Sequence, residues 1–162
     1  MSNHNLFIQS ATGAFEVAST EQILDTARRL LAHRVRRGAS LDSPQKVREY
    51  LSVKLGRLDY EVFSVILADA HHRVIEYVEL FRGTIDGASV HPREVVKLVL
   101  AKGASAVLLV HNHPSQIREA SHADELITKR LQSCLNLIDV RVLDHLIVAG
   151  DSVLSFAEEG LI

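Results

Sequence analysis

The segment SAVLLVH, residues 105–111, is an unbroken apolar run of strand length that breaks off at Pro114, three residues later. A run with no polar alternation fits a strand covered on both faces, so a buried central strand is predicted here. Pro114 ends it and keeps His113 extended, because the residue before a proline is pushed out of the helical region. A helix over 121–136 follows, then strands at about 139–149 and 152–156 separated by Gly150-Asp151.

The remaining segments supply partners for that strand. EVFSVILAD (61–69) and RVIEYVELF (73–81) read as a hairpin joined by Ala70-His71-His72. Gly83 and Gly87 punctuate a loop, and Pro92 opens a helix, PREVVKLVLAK, that Gly103 closes. Upstream, Asp42-Ser43-Pro44 is a helix-start signal, and that helix runs to about Leu55 with Gly56 as its stop. From residue 43 onward the chain therefore reads as mixed α/β, with hairpins and one helix-to-strand crossover around a sheet.

Residues 1 to about 18 show no sustained periodicity and are expected to form a loose arm. A helix begins at Ser19 or Thr20, with Thr20 as its cap. Its apolar positions are Ile23, Leu24, Ala27, Leu30, Leu31 and Val35, and Gly38 ends it. The other face carries Arg28, Arg29, Arg36 and Arg37, with Arg34 nearby. Such a face is most simply the solvated side of an amphipathic helix; the alternative is weak contact with DNA phosphates. The net charge of −2 gives no global reason to expect a nucleic-acid binder. No apolar run is long enough to span a membrane, and no secretion signal is visible, so the cytoplasm is the expected compartment. The single cysteine, Cys134, cannot supply a Cys-rich metal cluster and falls inside a predicted helix, where it reads as core rather than nucleophile.

Chemistry concentrates at the end of the apolar strand. His111 and His113 stand two residues apart and so point to one side. Ser121 and Asp124 open the next helix, where Asp124 can fold back as a third ligand. Two imidazoles and a carboxylate suit Zn²⁺, and three protein ligands leave one position for water, the pattern of catalytic rather than structural zinc. Ser121 and Asp124 also fit an N-cap and an N3 carboxylate, a reading compatible with the first. Hydrolysis needs a carboxylate base from outside the motif. Of Glu61, Glu76 and Glu79 on the hairpin, Glu61 is preferred, because it opens its strand and can face a cleft. His145 lies in an apolar strand and reads as a hydrogen-bonded core residue before a fourth ligand, and His122 is expected to point away from the metal if Ser121 and Asp124 point toward it. A nuclease of the His-Asn-His type spreads its residues over a ββα unit rather than placing them consecutively, and a zinc deaminase would need a Pro-Cys-x-x-Cys element, which a single cysteine excludes.

The pattern Glu61…His111-x-His113-x₇-Ser121-x₂-Asp124 resembles the JAMM motif of MPN/JAB-domain metallopeptidases. The stretches LDYEVFSVILAD (58–69), ELFRGTIDGASVHPREVVKLVL (79–100), SAVLLVHNHPS (105–115), SHADELITKRL (121–131), DVRVLDHLIVAG (139–150) and SFAEEGLI (155–162) are similar to the RadC-like branch of that group. The resemblance covers about residue 43 to the C-terminus. It implies an MPN fold, a curved mixed sheet flanked by helices, with residues 1–42 as an N-terminal helical extension. It further implies Zn²⁺ on His111, His113 and Asp124, Glu61 as the base, and Ser121 as the donor to the oxyanion. The implied activity is cleavage of an amide or isopeptide bond in a protein or peptide; the alternatives are a non-catalytic interaction module of the same fold or a DNA-repair-associated accessory protein. Two positions depart from the family's usual pattern: Gln116 stands where glycine is usual, and Ala120 where proline is usual.

Overall fold

The computed structural model describes residues 5–10, 12–32, 35–41, 43–83 and 90–162. The N-terminal stretch is not a loose arm: β1 (Phe7–Gln9) and β2 (Phe15–Val17) pair as an antiparallel ribbon. Strands of three residues are too short to display alternation in sequence. The turn between them uses Gly13 at φ +84°, a conformation open to glycine. Helix α1 (Thr20–Ala32) is capped by Ser19 rather than Thr20. Ser19 Oγ accepts the Gln22 N–H at 3.2 Å, and Gln22 Oε1 accepts the Ser19 N–H at 2.8 Å, a reciprocal capping box. Gly38 does not cap the helix, described over Thr20–Ala32; its N–H instead reaches the Val74 carbonyl at 2.7 Å. Val35 is buried in the core beyond the helix. Arg28 and Arg29 are exposed on α1, Arg29 pairing with Asp25 at 3.1 Å, and Arg36 and Arg37 are exposed beyond it. His4, His33, Arg34, the capping residue Asp42 and Gly87 lie outside the described residues.

Helix α2 (Pro44–Leu55) starts on its proline and ends before Gly56, as expected. Gly56 is not left-handed, with φ −63°. Its role is space, because a Cβ there would collide with the carbonyls of Gly150 and Ser52. Strands β3 (Val62–Ala68) and β4 (Val74–Arg82) form the expected hairpin. Asp69 Oδ1 closes its turn by accepting the N–H groups of His71 and Arg73, each at 2.9 Å. Helix α3 (Pro92–Lys102) ends on Gly103 at φ +63°. Strand β5 (Ala106–Asn112), helix α4 (His122–Asn136), and strands β6 (Arg141–Ala149) and β7 (Ser152–Ser155) complete the chain.

The five-stranded sheet has the order β4-β3-β5-β6-β7. β5 and β6 are parallel, joined through α4, and the other neighbours are antiparallel. Every residue of the central β5 is buried, because its two faces meet different helices. Ile66, Leu108, Val110, Leu146 and Val148 pack on Val47, Leu51 and Leu55 of α2. Phe63, Val65, Leu67, Val107 and Leu109 pack on Val95 and Val99 of α3 and Leu131 and Leu135 of α4. Truncating a buried leucine such as Leu51 to alanine in such a layer costs about 2–5 kcal/mol.

One irregularity decides which β6 side chains reach α4. Val107 pairs with Val142 but Leu108 pairs with Asp144, so Leu143 is an extra residue in β6. A bulge of this kind reverses the alternation beyond it. Val142 lies in the α3–α4 layer, and past the bulge His145, opposite Leu109, returns to that same side. Among the described residues no helix is long and apolar enough to cross a membrane.

Candidate metal centre

The end of β5 and the start of α4 bring the three expected ligands together. His111 is the sixth residue of β5 and is only 2% exposed. His113 continues the strand line, its N–H bonded to the Val148 carbonyl of β6 at 2.8 Å. Both rings therefore turn to the α4 side, with Nε2 of one 3.0 Å from Nε2 of the other. Asp124 is the third residue of α4, and its carboxylate reaches His111 Nε2 at 3.1 Å and His113 Nε2 at 3.5 Å. Among the described residues this is the one cluster of at least three ligating side chains with metal-site spacing.

Helix capping aims the carboxylate. Ser121 Oγ accepts the Asp124 N–H at 3.2 Å, and Asp124 Oδ2 accepts the Ser121 N–H at 2.7 Å, a capping box built on the ligand itself. Ser121 Oγ also donates to Asp124 Oδ2 at 2.6 Å. The capping reading of Ser121 and Asp124 is thus observed, and it leaves the carboxylate facing the two histidines. His122 is exposed, and Glu125 is bonded to Lys129 at 3.3 Å.

The donor chemistry fits a small divalent cation. The Ile117 carbonyl lies 2.7 Å from His113 Nδ1 and must accept, so that nitrogen carries the proton and Nε2 presents a lone pair. The carboxylate of Asp124 is acceptor-only when ionised. Zn–N bonds of about 2.0–2.1 Å set ligand atoms of a tetrahedron about 3.3 Å apart. The observed 3.0, 3.1 and 3.5 Å bracket that spacing. Without a metal the cluster attracts protons: the hydrogen bond with Asp124 raises the His113 pKa above 6.5 despite partial burial. Burial alone would raise the Asp124 carboxyl, yet His111 and His113 beside it hold it well below the usual carboxylate range.

Glu61 immediately precedes β3 and lines a cleft of ≈ 540 Å³ together with His113, Ser121, Asp59 and Glu119. Its charge contributes to the raised pKa of His113. The other two candidates lie elsewhere in ion pairs, Glu76 with Lys102 at 2.7 Å and Glu79 with Lys54 at 3.1 Å. Asn112, to which the motif gave no role, holds the backbone on both sides of Glu61. His145 is buried and hydrogen-bonded, as expected, and its partners are His111 at 2.9 Å and Thr128 at 2.6 Å. Thr128 escaped notice in the sequence, although its i+4 spacing from Asp124 places both on one face of α4.

The family model of the RadC-like JAB domain matches residues 41–161. The chain belongs to this family. Its mixed α+β architecture is a JAB/MPN fold, with His111 near the end of β5 and His113 just beyond it. A UPF0758 protein of Leptothrix cholodnii is 51% identical over 150 residues, covering 93% of this chain and 68% of the relative. One of Thioalkalivibrio sulfidiphilus is likewise 51% identical, covering 93% of this chain and 67% of the relative. One of Shewanella sp. strain ANA-3 is 48% identical over 159 residues, 98% of this chain and 71% of its own length. The RadC-like chain thus spans about two thirds of these relatives.

Proposed function

We propose that this RadC-like chain is a zinc-dependent hydrolase of the JAMM type, acting on an amide or isopeptide bond of a protein or peptide. The observation that carries this reading is the convergence of His111, His113 and Asp124, with His113 lining the same cleft as Glu61. A zinc ion on those three side chains would supply the Lewis acidity that makes water nucleophilic near neutral pH. Glu61 has no ion-pair partner among the described residues, so its carboxylate is available to take a proton in the cleft and return it to the leaving amine. Ser121 lies on the same cleft. Its hydroxyl, turned from Asp124 toward the substrate, would donate to the oxygen of the attacked carbonyl. Ile117 and Pro114 give the cleft an apolar side against which an extended segment can lie.

The test is cleavage of a peptide library by zinc-loaded protein, read as newly formed amino termini. Glu61→Gln should retain the ion and lose at least about 10²-fold in turnover, the range expected for a missing general base. Turnover unchanged in Glu61→Gln would remove Glu61 from the reaction. Cleavage no greater than that of Asp124→Ala would overturn the peptidase reading.

A further inference from the structure

The hydrogen bonds behind His111 can be assigned a direction, and that direction starts from a backbone carbonyl. Thr128 Oγ1 lies 2.6 Å from the Asp124 carbonyl oxygen, which can only accept, so the single hydroxyl proton of Thr128 is committed there. The same Oγ1 lies 2.6 Å from His145 Nδ1 and must therefore accept from it. His145 is fully buried, and its two ring nitrogens meet only Thr128 and His111. With no carboxylate on either nitrogen, a second proton would leave an unpaired charge in the core, so Nε2 presents a lone pair. His111 Nδ1, 2.9 Å away, is then the donor, and the lone pair of His111 falls on Nε2, the atom facing His113 and Asp124.

We infer that Thr128 and His145 are positioning residues that fix His111 in the tautomer able to bind a metal through Nε2. Asp124 enters twice, as a ligand through its carboxylate and as the anchor of this relay through its carbonyl. The relay closes a ring: α4 supplies Asp124 and Thr128, β6 supplies His145, and β5 supplies His111. The β6 bulge at Leu143 is what turns His145 onto the α4 side. Phe63 stacks on His111 with the ring planes 17° apart and meets the edge of His145, giving the relay apolar walls. Outer partners of this kind typically contribute 10–100-fold to metal affinity by holding the ligand's orientation and protonation.

This inference rests on the metal-site reading, and two measurements separate the two. Long-range ¹H–¹⁵N spectra of the histidine rings in the full, metal-free chain read the tautomers directly. His145 and His111 should both be protonated on Nδ1; finding His145 protonated on Nε2 overturns the relay, whatever the protein binds. Chelator competition with Zn²⁺ alone then reads the consequence. Thr128→Val, close in shape but without a hydroxyl, should bind about 10–100-fold more weakly, and Thr128→Ser should recover most of the loss. Equal affinity in folded Thr128→Val contradicts the relay while leaving the metal site intact. A wild-type chain that binds no zinc overturns the metal reading itself, while the ring spectra still decide the hydrogen-bond order. If Thr128→Val does not fold, the tautomer measurement on the wild-type chain decides alone.

Discussion

The carboxamide of Asn112 accepts the N–H of Val62 at 2.8 Å, across the β3–β5 pair. Its amide nitrogen donates to the Tyr60 carbonyl at 3.0 Å. The one residue between those two contacts is Glu61, whose own carbonyl accepts from Gly83 N–H at 2.8 Å. Asn112 is only 1% exposed. The middle residue of the His-x-His element thus ties the strand carrying the histidines to the backbone carrying the acidic residue. Tyr60 is held from its other side by the Arg82 guanidinium, 3.5 Å above its ring.

Asn112→Ala leaves the buried Val62 N–H without its acceptor, a loss of about 1–3 kcal/mol. Chemical denaturation should show that loss, while zinc stoichiometry stays at the wild-type level because no ligand is touched. An unchanged midpoint would mean that water or a backbone shift replaces the bond.

The metal-free protein should lose stability as pH rises. The His113 pKa is raised above 6.5, first by its hydrogen bond with Asp124. A raised histidine stabilises fully below its unfolded value, and that contribution is lost as pH climbs through the folded value. Asp124, held far lower, loses its contribution only in strong acid and does not enter this window. Melting of chelator-treated protein should therefore fall as pH rises above about 6.5, the unfolded value, and His113→Gln should flatten the slope. A slope that persists in His113→Gln would place its origin elsewhere.

Gln116 occupies a left-handed conformation, φ +61°, between the two halves of the site. Its N–H bonds the His113 carbonyl at 3.0 Å, a contact any residue can make. A non-glycine residue there carries backbone strain of about 1–3 kcal/mol, offset in part by the greater unfolded-state entropy of glycine. Gln116→Gly should accordingly raise stability by about 0.5–1 kcal/mol with zinc affinity unchanged. A loss of stability would show that the side chain, which lies beside Gly150, makes a compensating contact.

Much of this architecture was legible because its signals are local. The apolar run 106–110 is covered on both faces, and Pro92, Gly103 and Pro114 set boundaries where backbone chemistry requires them. The three candidate ligands lie within one strand–loop–helix unit, so strand alternation and a helix start suffice to bring them together. Other features depend on long-range pairing. The contact of His145 with His111 needs the extra residue Leu143 in β6, which has no mark in the sequence. The hold of Asn112 on residues 60–62 spans some fifty positions. The β1–β2 ribbon failed to register because its strands are only three residues long. The expected cap at Thr20 was displaced by the neighbouring Ser19 once Gln22 could answer it.

The most direct test of the central claim is elemental analysis of protein purified without chelators, beside Asp124→Ala prepared identically. Stoichiometric zinc in the wild-type chain, lost in the variant, is the expected result. Zinc absent from the wild-type chain even after incubation with the ion, or retained equally by Asp124→Ala, would contradict a metal centre built on His111, His113 and Asp124.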